Sequence, residues 1–425
     1  MSASPTFSVA PAAARLTTSL RDIGYDLPSA VADLVDNSIA AGAGRVRIRF
    51  EGEDSYRVLI ADDGAGMSPD RVHEALRFGS RRTYGRGELG RYGLGLKTAS
   101  LSQARTLTVV SRAQGEKAVT VRQLSLNHVE QYDNWVIIEP RDSDAIREAL
   151  GLLAEGFSTV IIWEDLDRVI PEGMAHGWAT RRLSNSAQKA GQHLSMVFHR
   201  YLDGSRGRSV EINVDGQRLE PWDPFARQER STIQPPSQTF EIDSGTLHGT
   251  VTLDRWVLPS RHQFSSPAAF EAASGPLKWN RQQGIYIYRA DRLVQGGGWA
   301  GLRAVDEHMK LARCALTFDT DLDASFNINV AKMRVSLPTE LRTMLQRPVQ
   351  EVCNRAEAVY REANLHAERP EASHRGPSGS LDAQAGLALL AAAASSGQLD
   401  SLRAIAKTLQ NDAPDLAKTL GLDAF

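Results

Sequence analysis

The chain is poor in cysteine: Cys314 and Cys353 are the only two in 425 residues. Two cysteines without CxxC spacing supply neither a disulfide framework nor a zinc cage, and fit a pair of reduced cytosolic thiols. Long apolar runs are missing too. The richest stretch, Ala385–Ala394, is alanine-dominated and shorter than the roughly 18 residues of a membrane span, so no membrane partner is expected. The amino terminus, MSASPTFSVAPAAAR, has neither a basic n-region nor a continuous apolar segment, which reads as cytoplasmic rather than secreted. Neither charge sign dominates. Lys plus Arg number 49 against 51 Asp plus Glu, a formal charge of −2, so no global field draws the chain to nucleic acid or anionic lipid, and any DNA contact needs a local patch.

What is present is ordinary for a soluble globular protein: 42% hydrophobic and 24% charged residues. The length suits two or three domains. Pro28 to Ala41 carries Val31, Leu34, Val35 and Ile39 on a helical apolar stripe closed by Gly42. Val46, Ile48 and Phe50 alternate with arginines as a half-exposed strand, and Tyr56 to Ala61 forms an apolar strand ending at Asp62-Asp63-Gly64. Further strands are expected at Arg105–Ser111, Val119–Leu124, Trp135–Ile138 and Thr159–Trp163. Short strands in succession with few helices between them predict an antiparallel or mixed sheet with helices on one face, an α+β layer fold rather than a doubly wound one.

A polar helix-like stretch over Pro171 to Ala190 separates this region from a second α/β domain. We place the first domain at 1–175 and the second at 185–345. The second holds a strand at Val210–Val214 with an Asp215-Gly216 hairpin signal, strands near Thr246–Leu253, and GIYIYRADRLVQ, whose Ala290-Asp291 turn joins two strands. A helix over about 346–365, with Pro348 at its start, a Pro/Gly/Ser linker at 366–380 and a tail of short helices over 381–425 complete the chain.

Three segments carry chemistry. The first helix brings Asp33, Asp36 and Asn37 near one face, because residues four apart are neighbours across a turn. A carboxylate and a carboxamide at that spacing suit a general base beside a magnesium ligand, although a solvated face has the same pattern. Next, a strand ends in Asp62-Asp63-Gly64-Ala65-Gly66-Met67, a turn whose carboxylate could accept a hydrogen bond from an exocyclic amine. Then six glycines fall within Gly79–Gly95, among arginines and just before Lys97. Glycine-rich backbone opening a helix presents N–H groups to phosphate. Leu96 between Gly95 and Lys97 breaks a Walker A pattern, and the order GxxGxG is not the dinucleotide fingerprint.

In this order the segments resemble the nucleotide site of the gyrase, heat-shock chaperone, histidine kinase and MutL superfamily over about residues 25–166. LVDNSIAAGA resembles its Asn-box, DDGAGM its first glycine box, GRYGLGLKTAS its second, and Ser158-Thr159-Val160 its later threonine element. The resemblance implies a Bergerat-type ATP-binding α/β sandwich, then a smaller α/β transducer domain and the helical tail. It implies that Asn37 holds Mg²⁺, that Asp62 binds the adenine amine, that Gly66 and Met67 line the base pocket, and that Gly64 and Thr159 also belong to the nucleotide site. Gly90, Arg91, Tyr92, Gly93, Leu94, Gly95, Leu96 and Lys97 would wrap the phosphates of ATP. Asp33 stands where hydrolysing members usually carry Glu as general base. It is shorter by one methylene, and a displacement of about 1 Å can reduce a rate on the order of 10²-fold, so slow ATPase activity is expected.

GIYIYRADRLVQGGGW and FNINVAKMRVSLP resemble the transducer of the MutL and MORC branch, and Lys332 matches its γ-phosphate lysine. FGSRR and GRYGLGLK lean towards bacterial MORC-like proteins. Membership implies an ATP-dependent homodimer acting on DNA in a restriction or phage-defence setting, with a nuclease or methyltransferase as possible partner. A sensor kinase would need a phosphoacceptor His before the Asn-box, but the first histidine is His73. A chaperone-like ATPase would bring a larger middle region. The motif-like HAER at 366–369 lies in the linker, without the other ligands of a MutL endonuclease. A non-hydrolysing scaffold that binds ATP and recruits an effector is the non-enzymatic alternative.

Overall fold

The computed structural model describes residues 12–22, 24–52, 55–78, 95–244, 247–323, 325–326 and 335–368, then 389, 392, 393, 395–419 and 422. Gly90, Arg91, Tyr92, Gly93, Leu94, Lys332 and the linker at 369–380 lie outside the described residues. Residues 1–363 form one compact unit containing two sheets, and 364–425 form another.

The first sheet has the order β4-β3-β5-β2-β1-β6-β7. Its strands are β1 (Arg45–Glu51), β2 (Arg57–Asp62), β3 (Thr106–Ser111), β4 (Thr120–Ser125), β5 (Thr159–Glu164), β6 (Glu211–Val214) and β7 (Gln217–Arg218). All neighbours are antiparallel except β1 and β6, which run parallel, so the sheet is mixed as expected. The expected strand at Trp135–Ile138 reduces to a bridge between Ile138 and Gln123.

Strand alternation sorts the side chains into two cores. Val58 and Ile60 of β2, Leu107 and Val109 of β3, and Ile161 and Trp163 of β5 face the larger one. Over them lie α1 (Ala13–Arg21), α2 (Leu27–Ala40), α4 (Gly95–Leu101) and α7 (His176–Val197), with α3 (Pro69–Leu76) and α5 (Leu126–Tyr132) towards the β4 end. The intervening residues Leu59, Ala61, Val110, Val160 and Ile162 face the opposite side, where α6 (Asp144–Ala154) brings Ala145, Ala149, Leu152 and Leu153. Helices therefore cover both faces, against the one-sided expectation. The same apolar alternation on β2, β3 and β5 that buries one face leaves a second apolar stripe, and α6 satisfies it.

The change of sheet comes later than the residue-185 boundary expected from sequence. α7 packs on α2, and β6–β7 extend the first sheet at β1. Asp215 and Gly216, at the β6–β7 turn, have φ of 49° and 82°, the left-handed backbone a tight hairpin needs. The short helix α8 (His199–Leu202) then leads to the second sheet, ordered β11-β10-β12-β9-β8. It comprises β8 (Gln238–Ser244), β9 (Leu247–Val257), β10 (Gly284–Arg289), β11 (Arg292–Gln295) and β12 (Ala312–Phe318), with α9 (Pro267–Ala273) and α10 (Lys278–Gln282) in the connection after β9. Ala290 and Asp291 make the β10–β11 turn with φ of 45° and 65°.

A long helix, α11 (Thr339–Glu368), covers this sheet through Leu341, Leu345, Val349, Val352 and Cys353. It begins nine residues before Pro348, where a helix was expected to open. The apolar four-residue spacing of Leu341, Leu345 and Val349 anchors the extra turns on the core, which offsets the hydrogen bond Pro348 removes. Cys314 and Cys353 are buried free thiols, as expected. In the second unit, α12 (Leu399–Asp412) and α13 (Pro414–Thr419) pack on each other. No helix among the described residues is long and apolar enough to cross a membrane.

The turn after β2 shows why two of its glycines are glycine. A Cβ on Gly64 would lie 2.9 Å from both the Ala41 Cβ and an Asp62 oxygen. At Gly66, with φ of +65°, a Cβ would fall 2.0 Å from the Arg112 carbonyl oxygen. Gly66→Ala should therefore lower stability by more than the ~1–3 kcal/mol of backbone strain alone. Gly42→Ala is the matched control, since Gly42 has φ of +85° but nothing within 4 Å of its would-be Cβ. Urea unfolding of the two variants checks this; equal losses would show that the Arg112 contact does not set the turn.

Candidate functional site

The ends of three adjacent strands make the floor of the site. Asp62 closes β2 and pairs with Thr159 of β5, which pairs with Ser111 of β3. Directly paired residues point to the same face, so the three polar side chains form one row on the side covered by α2 and α4. The Ser111 and Thr159 hydroxyls are 2.8 Å apart, and the Met67 N–H donates to Ser111 Oγ at 2.9 Å. Met67 is partly buried against the larger core.

Asp62 is only 7% exposed. It accepts from the Gly64 N–H at 3.0 Å and the Ser38 hydroxyl at 3.2 Å. Burial pushes its carboxyl up to about 6, although these two hydrogen bonds oppose the shift. The neighbouring Asp63 behaves differently. Burial would raise it too, but the Arg45 side chain and the Arg45 and Gly44 N–H groups hold it below the usual carboxylate range. Asp63 thus ties the turn to β1, while Asp62 is the acceptor inside the site.

Helix α2 forms the facing wall. Asp26 caps it by accepting from the Ser29 N–H at 3.0 Å, and Pro28 sits in its first turn. The helix is buried nearly all round, at Asp33 (2% exposed) and Asp36 (1%) as well as at its apolar residues. That excludes a solvated acidic face. Asn37 alone of the three is exposed, one turn beyond Asp33. No described residue hydrogen-bonds its carboxamide.

Buried carboxylates need partners. The Tyr25 hydroxyl donates to Asp33 Oδ2 at 2.6 Å, and burial followed by the charge of Asp33 pushes the phenol far up, so it stays a donor. Arg292, buried on β11 of the second sheet, reaches Asp36 with Nε–Oδ2 at 2.9 Å and lies 3.9 Å from Asp33 Oδ1. Beside them on α7, His193 is held down to about 4, by burial first and then by Arg292, despite Asp26 and Asp36. The second sheet also grips the first layer through α8. The His199 ring and Tyr288 hydroxyl are 2.8 Å apart, Arg200 bonds Asp291 at 3.1 Å and stacks 3.5 Å from the Tyr288 ring centroid, and Tyr201 donates to the Ala290 carbonyl at 2.7 Å.

The described end of the glycine-rich segment meets the same wall. A Cβ on Gly95 would lie 3.7 Å from Asp33 Oδ2, so the start of α4 lies against this carboxylate. Leu96 packs on the larger core. Lys97 is buried, its ammonium donating to the Ala75 carbonyl at 2.8 Å and lying 5.8 Å from the Phe78 ring centroid, and burial pushes it down to about 8. In this conformation Lys97 faces the carboxyl end of α3.

The fold thus brings Asp33, Asn37, Asp62, Gly64, Gly66, Met67, Gly95 and Thr159 to one end of the first sheet. Four further residues belong with them. Ser38 lies inside the Asn-box, next to Asn37, and Ser111 ended an apolar run, so both had a local signal. Tyr25 reads as one more core aromatic. Arg292 lies more than 250 residues from its carboxylates, and although it sits in the GIYIYRADRLVQGGGW segment, nothing there marks it as their partner.

Residues 25–150 match the family model described as "Histidine kinase-, DNA gyrase B-, and HSP90-like ATPase". Over 135 residues the chain is 27% identical to mouse "ATPase MORC2A", covering 30% of this chain and 13% of that protein. It is 46% identical over 48 residues to "DNA mismatch repair protein MutL" of Caulobacter vibrioides, 11% of this chain and 8% of the relative. It is 36% identical over 90 residues to Caenorhabditis elegans "ATPase morc-1", 20% of this chain and 10% of the relative. The aligned stretches are thus a small part of each relative. A solved structure described as "Crystal Structure of N terminal domain of a DNA repair protein" aligns over 83% of this chain and 99% of its own, at 14% identity and a TM-score of 0.46. The chain therefore carries, over residues 25–150, a domain of the histidine kinase-, DNA gyrase B- and HSP90-like ATPase family, with MORC ATPases and MutL among its relatives.

Proposed function

We propose that the chain is a slow, Mg²⁺-dependent ATP hydrolase that works as a conformational switch, with Asp33 as general base. The observation that carries this reading is a buried carboxylate, Asp33, one turn before an exposed carboxamide, Asn37, on a helix whose Ser38 hydroxyl bonds a buried acceptor, Asp62. The residues fit the ligands. Asp62, with Thr159 and Ser111 beside it, is suited to an adenine amine, and Asn37 would hold Mg²⁺. Magnesium dehydrates reluctantly and commonly takes only one or two protein ligands, so a single carboxamide is chemically adequate. Among the described residues there is no cluster of three or more His, Cys, Asp or Glu that would bind a metal without the nucleotide. When bound, Mg²⁺ would neutralise charge on the phosphate oxygens.

Asp33 would orient and deprotonate the attacking water. Its Oδ2 already accepts from the Tyr25 hydroxyl, which takes up a lone pair the attacking water would otherwise meet. Together with its short reach, this supports slow turnover. Gly90 to Leu94 would close over the phosphates and Lys332 would reach the γ-phosphate from the second domain, roles that rest on the motif resemblance. Similarity to MORC ATPases and MutL supports an ATP-dependent homodimer acting on DNA. A restriction or phage-defence setting, with a nuclease or methyltransferase partner, extends the same reading.

Three outcomes test it. Calorimetry should show Mg·ATP binding lost in Asn37→Ala and Asp62→Ala but kept in Asp33→Asn, whose single-turnover hydrolysis should fall by about 10²-fold or more. Asp33→Asn turning over at the wild-type rate would remove Asp33 from the mechanism.

The second outcome concerns pH. The ionised Asp62 carboxylate is a pure acceptor, so adenosine affinity should decline as pH falls through about 6. The sign for folding is opposite: with the folded-state value raised, Asp62 favours the folded state when protonated and loses that contribution as pH rises through about 6. Asp62→Asn should abolish the pH dependence of adenosine binding; a slope surviving in that variant would point to another group.

The third outcome tests the link to the second sheet. Removing one partner of a buried ion pair costs about 3–5 kcal/mol, whereas replacing both by apolar residues is often neutral. Arg292→Met should therefore lower the unfolding midpoint strongly, and Arg292→Met with Asp36→Leu should recover most of it. Additive losses in the double variant would show that the two side chains are not coupled.

A further inference from the structure

The second sheet buries a cation with no acid to balance it. Arg313 of β12 is 0% exposed. Its Nη1 donates to the Pro224 carbonyl, and its Nη2 donates at 2.8 Å to the carbonyl of Ala273, the last residue of α9. Among the described residues no carboxylate pairs with it. Asp223, whose charge acts on it, is already engaged, accepting from the Phe225 and Arg227 N–H groups at 3.1 Å and from Arg227 Nε at 3.0 Å. Two carbonyls carry partial charges only, so they offset part of what burying a full charge costs.

Around this guanidinium stand N–H donors without an acceptor among the described residues: Arg313 Nε itself, Gln282 Nε2, Trp256 Nε1 and Trp279 Nε1. Trp256 pairs with Arg313 across β9 and β12, so both point to one face. The ring centroids of Trp279 and Trp222 lie 5.3 and 5.8 Å from the guanidinium carbon. Gln282 is fully buried, and its Oε1 accepts from the Tyr286 hydroxyl at 2.8 Å, which fixes the other end of the amide as the donor. That amide lies beside Trp222: a Cβ on Gly275, between α9 and α10, would fall 2.4 Å from the Trp222 ring and 2.6 Å from Gln282 Nε2. Buried donors nearly always find acceptors. Several of them around one unbalanced cation, with no spare acceptor, complement an anion.

Charge, size and direction narrow its class. One guanidinium among neutral donors balances a single negative charge, whereas a divalent oxyanion would leave a buried charge uncompensated. The crowding at Gly275 admits only a small ligand. A carboxylate is best held by the bidentate fork of an arginine, but Nη1 and Nη2 are already spent on carbonyls, which leaves single N–H groups from separate side chains. Such donors suit a spherical ion, and the positive edges of the surrounding rings favour it too. We propose that the Arg313 pocket binds one halide ion through Arg313 Nε, Gln282 Nε2 and the indole N–H groups of Trp256 and Trp279, tying the α9–α10 connection to the second sheet. The proposal is independent of the nucleotide reading above.

The test follows thermal unfolding of the full chain at constant ionic strength while sodium gluconate is replaced by sodium chloride, bromide or acetate. The midpoint should rise with either halide and saturate, because a ligand that binds only the folded state stabilises it by mass action. Trp279→Phe keeps a ring against Phe270 and removes one N–H, so half-saturation should need about tenfold more chloride. Gln282→Leu should shift it in the same direction, and Arg313→Met should abolish the halide response. The first two variants keep the test decisive if Arg313→Met does not fold. Crystals soaked in bromide should give an anomalous peak within hydrogen-bond distance of Arg313 Nε. Equal midpoints in gluconate and chloride, a rise that never saturates, an unchanged response in all three variants, or bromide at the surface as an adventitious ion only would each overturn the site. Acetate stabilising as strongly as chloride would overturn the halide class. Calorimetric ATP binding should be unchanged in Trp279→Phe, so this site and the ATP site fail separately.

Discussion

Two carboxylates buried one turn apart on a helix are the constraint on which the rest of this structure depends. Asp33 and Asp36 sit in the protein interior, where an uncompensated charge costs far more than any single apolar contact returns. Their compensation is only partly local. Tyr25 comes from the segment before the helix, and Arg292 comes from a hairpin of the other sheet. The helix that carries the proposed base therefore reaches its low-energy state only when both sheets are assembled around it.

That dependence suits a switch. Arg292 and the α8 contacts with Tyr288, Ala290 and Asp291 are the links through which a change at the proposed nucleotide end of α2 would reach the second sheet. These are packed, hydrogen-bonded contacts with discrete arrangements, the kind of element whose equilibrium a ligand can bias if it binds one arrangement better. Gly95 lies against Asp33 Oδ2, so the start of α4 and Arg292 of the second sheet both lie beside one carboxylate.

The parts of this arrangement that were legible in the sequence are those with short-range signatures. Apolar periodicity located α2, alternation located β1, and short apolar runs located β2, β3 and β5; the Asp62-to-Met67 turn announced itself by its glycines. Partnerships across sequence were not legible. The pattern on α2 fits a solvated face as well as a buried one, and only Arg292 and Tyr25 decide between them. α6 on the far face, and β6–β7 completing the first sheet rather than opening the second, follow from strand order, which no local pattern encodes. Pro348 marked a helix start by propensity, yet the packing of Leu341 and Leu345 carried α11 past it.

The central claim is that the proposed nucleotide site and the second sheet are one coupled unit joined at Arg292. Amide hydrogen exchange with and without a non-hydrolysable ATP analogue tests it most directly. The account predicts slower exchange both in α2 and in the β10–β11 hairpin on adding the analogue, with ADP affecting α2 alone. Protection confined to α2 with either nucleotide would contradict it.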